Sequence, residues 1–183
     1  DPRRAPASAA GPIATAATVS PQMTFDIDVS AIDEENSVST IGFIGANSLV
    51  ATTVVDSPEK IWVNFETNGE SGGRVYVAAS NAGLQSSRAS YLISAVTGNL
   101  TILSEGFGAQ SSTATNGLSE VTLYDKTGNE VGITDTTIRE MFTASAPTTN
   151  GRGSFLLKAK SSAVTPAASD YTETLTVIAS ASF

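Results

Sequence analysis

Two short motifs in this chain have the residue types of nucleophilic catalysis. The sequence GESGG at 69–73 fits the G-x-S-x-G pattern of serine hydrolases, and SPEK at 57–60 fits the S-x-x-K pattern, in which a lysine activates the serine. The first pattern needs a histidine base, and the chain has no His. The second needs the start of a helix, but the strand-like sequence IWVNF follows at once. We therefore interpret both as turns and predict a protein that is not an enzyme.

Acidic side chains are the other groups that could do chemistry. A carboxylate pair hydrolyses glycosidic bonds only at a defined separation, and the sequence places no two carboxylates at that separation. Asp26 and Asp28 alternate with apolar residues, which is typical of the solvated face of a strand. The chain has no Cys and no His, so we expect no cofactor. Calcium, which binds through oxygen alone, stays open at DEEN (33–36) or YDKTGNE (124–130).

Aromatic residues suggest an alternative, non-catalytic function. Trp62 and Tyr76 alternate with the apolar positions of their strands, so both rings could face outward and contact glycans. That interpretation gives a carbohydrate-binding or adhesin module, and the competing interpretation is that the rings only complete a second packing layer. Asn99 begins the sequence NLT, which matches a glycosylation sequon and stays open as such.

Composition limits the classes of partner. The chain has 183 residues and 40% hydrophobic residues, enough for one domain with a packed core. Its net charge of −8 provides no basic face for a nucleic acid, so no nucleic-acid partner is expected. No apolar run reaches the roughly 18 residues of a membrane span. The first residue is Asp1 rather than Met, from which we expect a secreted protein whose signal peptide has been removed.

The elements that would position these residues read mainly as short strands with alternating apolar residues. We predict an all-β fold, an antiparallel two-sheet β-sandwich of the jelly-roll or Ig-like kind, because no β-α-β pattern occurs. Residues 61–80 and 121–134 are interpreted as hairpins, and 105–117 as a long loop rich in Gly, Ser and Thr. The predicted strands are 23–31, 41–44, 49–55, 61–66, 74–80, two within 91–103, two within 121–134, 154–160 and 170–183.

One short helix is predicted near 136–144. Thr137 and Glu140 have the spacing of a capping box, and Ile138, Met141 and Phe142 would share one helical face.

The segment before the first strong strand has a different character. Residues 1–20 are rich in Ala, Pro and Thr, and we divide the chain into this N-terminal arm and one β-sandwich domain at 21–183. Ile13, Thr15, Ala17 and Val19 alternate weakly, as in a strand whose core must come from elsewhere. A bare sheet edge accepts such a strand by β-augmentation, and repetition from copy to copy gives a filament.

The two terminal stretches carry a resemblance. DYTETLTVIASASF (170–183) resembles the last strand of secreted bacterial pilin-like and surface β-sandwich domains, and ATVSPQMTFDIDVSAID (17–33) resembles the mature start of filament-forming sandwich subunits. The resemblance implies a cell-surface homopolymer, a pilus, fimbrium or surface layer, built by donor-strand complementation. The donor residues would be Ile13, Thr15, Ala17 and Val19, and the acceptor or edge strand would present Tyr171, Leu175, Val177 and Phe183. A jelly-roll viral coat protein with an N-terminal arm is the further alternative.

Overall fold

The computed structural model describes residues 17–29 and 41–183, and regular structure there is almost entirely β. A single 3-10 turn, Gly45–Asn47, is the only helical element of that part. The strands are β1 (Met23–Val29), β2 (Val54–Asp56), β3 (Ile61–Thr67), β4 (Gly73–Ala79), β5 (Gly83–Ser86), β6 (Tyr91–Ser94), β7 (Gly98–Asn99), β8 (Gly106–Thr115), β9 (Ser119–Glu120), β10 (Glu130–Val131), β11 (Arg139–Ala144), β12 (Thr148–Lys160) and β13 (Leu175–Ala181).

Two antiparallel sheets form the sandwich. The first sheet runs β1–β3–β12, with β8 paired along one side of β12 and β2 paired to the last residues of β12. The second sheet runs β13–β4–β11–β9. Two small ladders, β5 with β6 and β7 with β10, lie outside these sheets. The predicted all-β, antiparallel sandwich is confirmed.

The core lies between the two sheets and comes from alternate residues of their central strands. Val63 and Phe65 of β3 are fully buried, and Val75 and Val77 of β4 face them from the second sheet. This period of two is what β-branched and aromatic residues on a pleated surface produce. Other large, fully buried side chains are Tyr124, Phe107, Phe142, Phe155, Ile93, Leu100 and Met141.

The sandwich has two distinct ends. At the first, which we call the exit end, β1 starts at Met23, the loop 68–72 joins β3 to β4, and β13 finishes at Ala181. At the opposite end, which we call the groove end because a groove opens there, β1 finishes at Val29 and β13 starts at Leu175. The edge strands β1 and β13 therefore run side by side but in different sheets.

The predicted helix near 136–144 is wrong. Residues 139–144 form β11, which pairs with β4 through a bulge between Glu140 and Phe142. The bulge turns the consecutive residues Met141 and Phe142 both into the core, which imitates a helical apolar face. Asp135 accepts a hydrogen bond from the Thr137 N–H at 2.9 Å, so the apparent capping signal is a turn before the strand.

Both predicted hairpins are also wrong. Within 61–80, β3 and β4 belong to different sheets, so the loop 68–72 crosses the sandwich instead of closing a ladder. Within 121–134, residues Glu130 and Val131 pair with β7 rather than with the sequence before the turn. Loop length and alternation predict adjacent strands, but they do not say whether the chain stays in the same sheet.

The loop predicted at 105–117 is largely the ten-residue strand β8. Its composition is poor for a strand, but it pairs with β12 from Gly106 to Thr115. A Cβ on Gly108 would lie 2.7 Å from the carbonyl oxygen of Gly132, so the close approach of a neighbouring segment requires glycine there. The strands predicted at 41–44 and 49–55 reduce to the three-residue β2.

Candidate functional site

A groove with an apolar floor and several Ser and Thr residues in its walls opens at the groove end, between edge strands β1 and β13. Its volume is about 1090 Å³, and we call it the edge groove. The floor consists of core residues, among them the buried Leu84, Ile93 and Phe107. One wall carries Ile27 and Val29 of β1. A cavity of this size is as large as a typical ligand site, which makes it the main candidate for binding.

The second wall of the edge groove is the strand predicted as the acceptor. Tyr171, Leu175 and Val177 all line the groove, and each is only half-buried. Among the described residues, β13 pairs only with β4, so its other edge faces the groove side. Phe183, the fourth predicted acceptor residue, lies at the exit end, is 63% exposed and does not line the groove.

The remaining walls come from connecting segments rather than strands. Ile41, Phe43 and Leu49 line the groove beside β1, and residues 161–163 and 165–169 line it beside β13. These residues carry no site motif in the sequence. Their apolar types were visible, but nothing in one sequence tells which connecting segments converge on a common opening.

Glu173 fixes the start of β13 at the mouth of the groove. Its carboxylate accepts hydrogen bonds from the backbone N–H groups of Ser80 and Asn81 at 3.1 and 3.0 Å, and from the Ser80 hydroxyl at 2.7 Å. It also accepts one from its neighbour Thr174 at 2.8 Å. Glu173 is the only charged residue among the described residues that line the groove, and the turn after β4 satisfies its carboxylate.

Two further carboxylates hold the wall formed by 161–171. Glu105 accepts hydrogen bonds from the Tyr91 hydroxyl at 2.8 Å and from the Thr165 hydroxyl at 2.6 Å. The Glu105 hydrogen bond raises the pKa of the Tyr91 phenol. Asp170 accepts from the Ser86 hydroxyl at 2.6 Å and from the Arg88 N–H at 2.9 Å, and these bonds hold the pKa of its carboxyl below its usual range.

The described part of the predicted donor segment, residues 17–19, lies at the opposite end of the domain. Ala17 and Val19 are exposed, Val19 to 80%, whereas Ile13 and Thr15 lie outside the described residues. Asn68 holds residues 20–22, which join the donor segment to β1. Its side-chain oxygen accepts the Gln22 N–H at 2.7 Å, and its side-chain amide donates to the Ser20 carbonyl at 2.8 Å. The Asn68 N–H also donates to the Gln22 carbonyl at 3.2 Å.

The structure does not bring the two predicted glycan contacts together. Trp62 points outward from β3 in the first sheet, and Tyr76 points outward from β4 in the second, so they lie on opposite faces of the sandwich. The Lys60 ammonium lies 5.8 Å from the centre of the Trp62 ring, where it occupies a ring face that a sugar would need. Asn99 is half-buried, and its side-chain oxygen accepts the Thr101 N–H at 2.8 Å.

The motifs interpreted as turns lie in loops. Residues 69–73 span the crossing loop and the start of β4, and Ser57 donates its hydroxyl to the Glu59 carbonyl at 2.8 Å. Lys60 contacts the Ser112 hydroxyl at 2.7 Å rather than Ser57. No group of three or more acidic residues that could hold a metal occurs within 17–29 and 41–183, and the calcium candidate at 33–36 lies outside these ranges. None of the described helices is long and apolar enough to cross a membrane.

No protein-family model matches the chain, and no curated protein matches it at a significant level.

Proposed function

We propose that this chain is the structural subunit of an extracellular filament or surface layer, and that residues 13–19 of one copy fill the edge groove of the next. The observation that carries the proposal is the edge groove itself: a sandwich that is otherwise packed opens to its core beside β13, whose outer edge pairs with no described strand. A strand added there would extend the second sheet and cover the half-buried face of Leu175 and Val177.

The length and polarity of the segment 13–19 support this occupant. It has seven residues, as β13 has, and seven residues of strand extend about 23 Å. It contains no charged residue, so it can cover the apolar floor of the groove without burying an unpaired charge. Its alternate residues Ile13, Thr15, Ala17 and Val19 are small to medium in size, which suits a groove bounded by two sheets.

The competing occupant within one copy is residues 30–40, which join two groove residues, Val29 and Ile41. That segment carries Asp33, Glu34 and Glu35 in succession. Placing three carboxylates over the apolar floor of the groove is costly unless each finds a partner, so we favour the uncharged segment 13–19.

The test is negative-stain microscopy of the full chain and of a variant that lacks residues 1–20. We expect filaments from the full chain and a folded monomer from the truncated one. Filaments from the truncated chain refute the role of the arm, closed shells favour a coat protein, and a full chain that stays monomeric refutes the proposal.

A matched pair of substitutions sharpens this test. Ala16 and Ala17 are adjacent residues of the same type on opposite sides of the alternation. Ala17→Asp would place a charge in the groove and should abolish assembly, whereas Ala16→Asp would place it outside and should leave assembly nearly intact. Equal effects of the two substitutions would contradict insertion as a strand.

A further inference from the structure

The exit end carries exposed apolar side chains next to residues 20–22, which the Asn68 side chain holds by hydrogen bonds. Met23 is 41% exposed and Phe183 is 63% exposed, and both lie at the end where the arm leaves the domain. The backbone N–H of Ser182 bonds to the Gly72 carbonyl at 3.0 Å, which places the residue before Phe183 against the same loop that contains Asn68.

The rim of the edge groove is apolar and exposed as well. Ile44, which lines the groove, is 75% exposed, and Val50, which follows the lining residue Leu49, is 60% exposed. Val164 is 83% exposed and follows Ala163, a lining residue of the opposite wall. Two exposed apolar patches therefore lie at opposite ends of one molecule, which is the arrangement that a head-to-tail contact between copies requires.

The linker between the arm and the domain sets how far apart two copies can lie. Val19 is the last donor residue and Met23 the first residue of β1, four chain steps that reach at most about 14 Å. Asn68 reduces this freedom further, because its side chain bonds to both Ser20 and Gln22. If Val19 lies at the groove mouth, the exit end of its own copy must adjoin the rim.

We propose that the exit end of each copy, at Phe183 and Met23, docks directly on the groove rim of the next copy, at Ile44 and Val164. Asn68 positions this contact because it holds the three-residue linker 20–22. This inference rests on the proposed function. It adds an interface between the bodies of successive subunits and gives Asn68 a positioning role: the clamp orders the linker before assembly and so lowers the entropic cost of docking.

Cysteine cross-linking of the assembled full chain tests the contact, and the chain has no Cys of its own. A variant with Phe183→Cys and Val164→Cys should give a ladder of covalent oligomers under oxidation. The matched control is Phe183→Cys with Ile138→Cys, since Ile138 is also at the groove end and 59% exposed but immediately precedes β11, two strands away from β13. The control should give no ladder.

The outcomes separate the two proposals. If filaments form but the Phe183/Val164 cysteine pair cross-links no better than the Phe183/Ile138 pair, the docking contact is wrong. Strand insertion is not contradicted by that result. A single Phe183→Cys variant that cross-links to itself overturns the head-to-tail order. A full chain that forms no filaments overturns both proposals.

A second measurement isolates Asn68. Asn68→Ala removes both side-chain bonds to the linker and should raise the critical concentration for assembly about tenfold. Asn68→Asp keeps the acceptor for Gln22 and should have a smaller effect. A merely structural role would instead lower the unfolding midpoint of the monomer and leave the critical concentration of the folded protein unchanged.

Discussion

Strands β3 and β13 have the same length and the same alternation, but they differ in burial. Ile61, Val63 and Phe65 of β3 are between 0% and 7% exposed, and β3 has a partner strand on each side. The corresponding inward residues of β13, Leu175, Val177 and Ala179, are only half-buried, and β13 pairs with β4 alone among the described strands. An alternating sequence therefore specifies which face is apolar, and the neighbours decide how completely that face is covered.

Because β3 is buried and β13 is only half-buried, we expect the two strands to contribute to different properties of the protein. Stability of the single copy should depend on β3, because its side chains are already removed from water. Assembly should depend on β13, because its apolar face still has area to bury.

Phe65→Ala should destabilise the isolated copy by about 3–5 kcal/mol, the usual cost of truncating a buried aromatic ring. Phe65 is fully buried, and its ring also contacts the position where a Cβ on Gly73 would lie. Urea denaturation gives the free energy of unfolding. A loss no larger than that of Val177→Ala would remove the distinction between the two strands.

Alkaline pH should weaken the core through Tyr124. Burial raises the pKa of Tyr124 to about 12, above its ordinary value of 10.0, and the hydroxyl donates to the Ile133 carbonyl at 2.8 Å. The unfolded chain then releases its proton first, so about 2–3 kcal/mol of stability present below pH 10 is lost as the pH rises from 10 to 12. Tyr124→Phe should flatten the pH dependence of the unfolding free energy in that window. An unchanged slope would show that Tyr124 does not titrate there.

Val177→Ala should cost the isolated copy only about 1 kcal/mol, because the side chain is half-buried. The same change should raise the critical concentration for assembly about tenfold, since the inserted strand would lose a contact. Sedimentation across a concentration series measures this value. A loss of stability without a change in assembly would assign β13 to the core rather than to the groove.

Glu105→Gln should have the smallest effect. It weakens the charge-assisted bonds to Tyr91 and Thr165 that hold one groove wall. We expect little change in the unfolding free energy and faster hydrogen exchange confined to residues 162–171. Faster exchange throughout both sheets would contradict a local role.

The sequence predicted the sandwich because period-two alternation is a local signal, readable at β1, β3, β4 and β13. It did not predict β8, since that strand depends on pairing with β12 and its own Gly and Ser residues favour a loop. The helix near 136–144 failed for a related reason: a bulge gave Met141 and Phe142 a helix-like spacing.

For the candidate site, the sequence found the wall that is a strand and missed the walls that are connections. Tyr171, Leu175 and Val177 were recognisable from their alternation, whereas Ile41, Phe43 and Leu49 come near the groove only through tertiary packing. Asn68 was missed because a polar residue in a Gly-rich loop has no pattern that reveals its partners 46 and 48 residues away.

Assembly by strand insertion can be tested by mixing two full-length variants. Ala17→Asp disables the donor and leaves the groove intact, and Leu175→Arg obstructs the groove and leaves the donor intact. Each alone should stay monomeric, and a mixture should give a 1:1 dimer in analytical ultracentrifugation, because only one donor and one groove remain. Filaments from either variant alone, or a mixture that stays monomeric while both variants are folded, would contradict assembly by strand insertion.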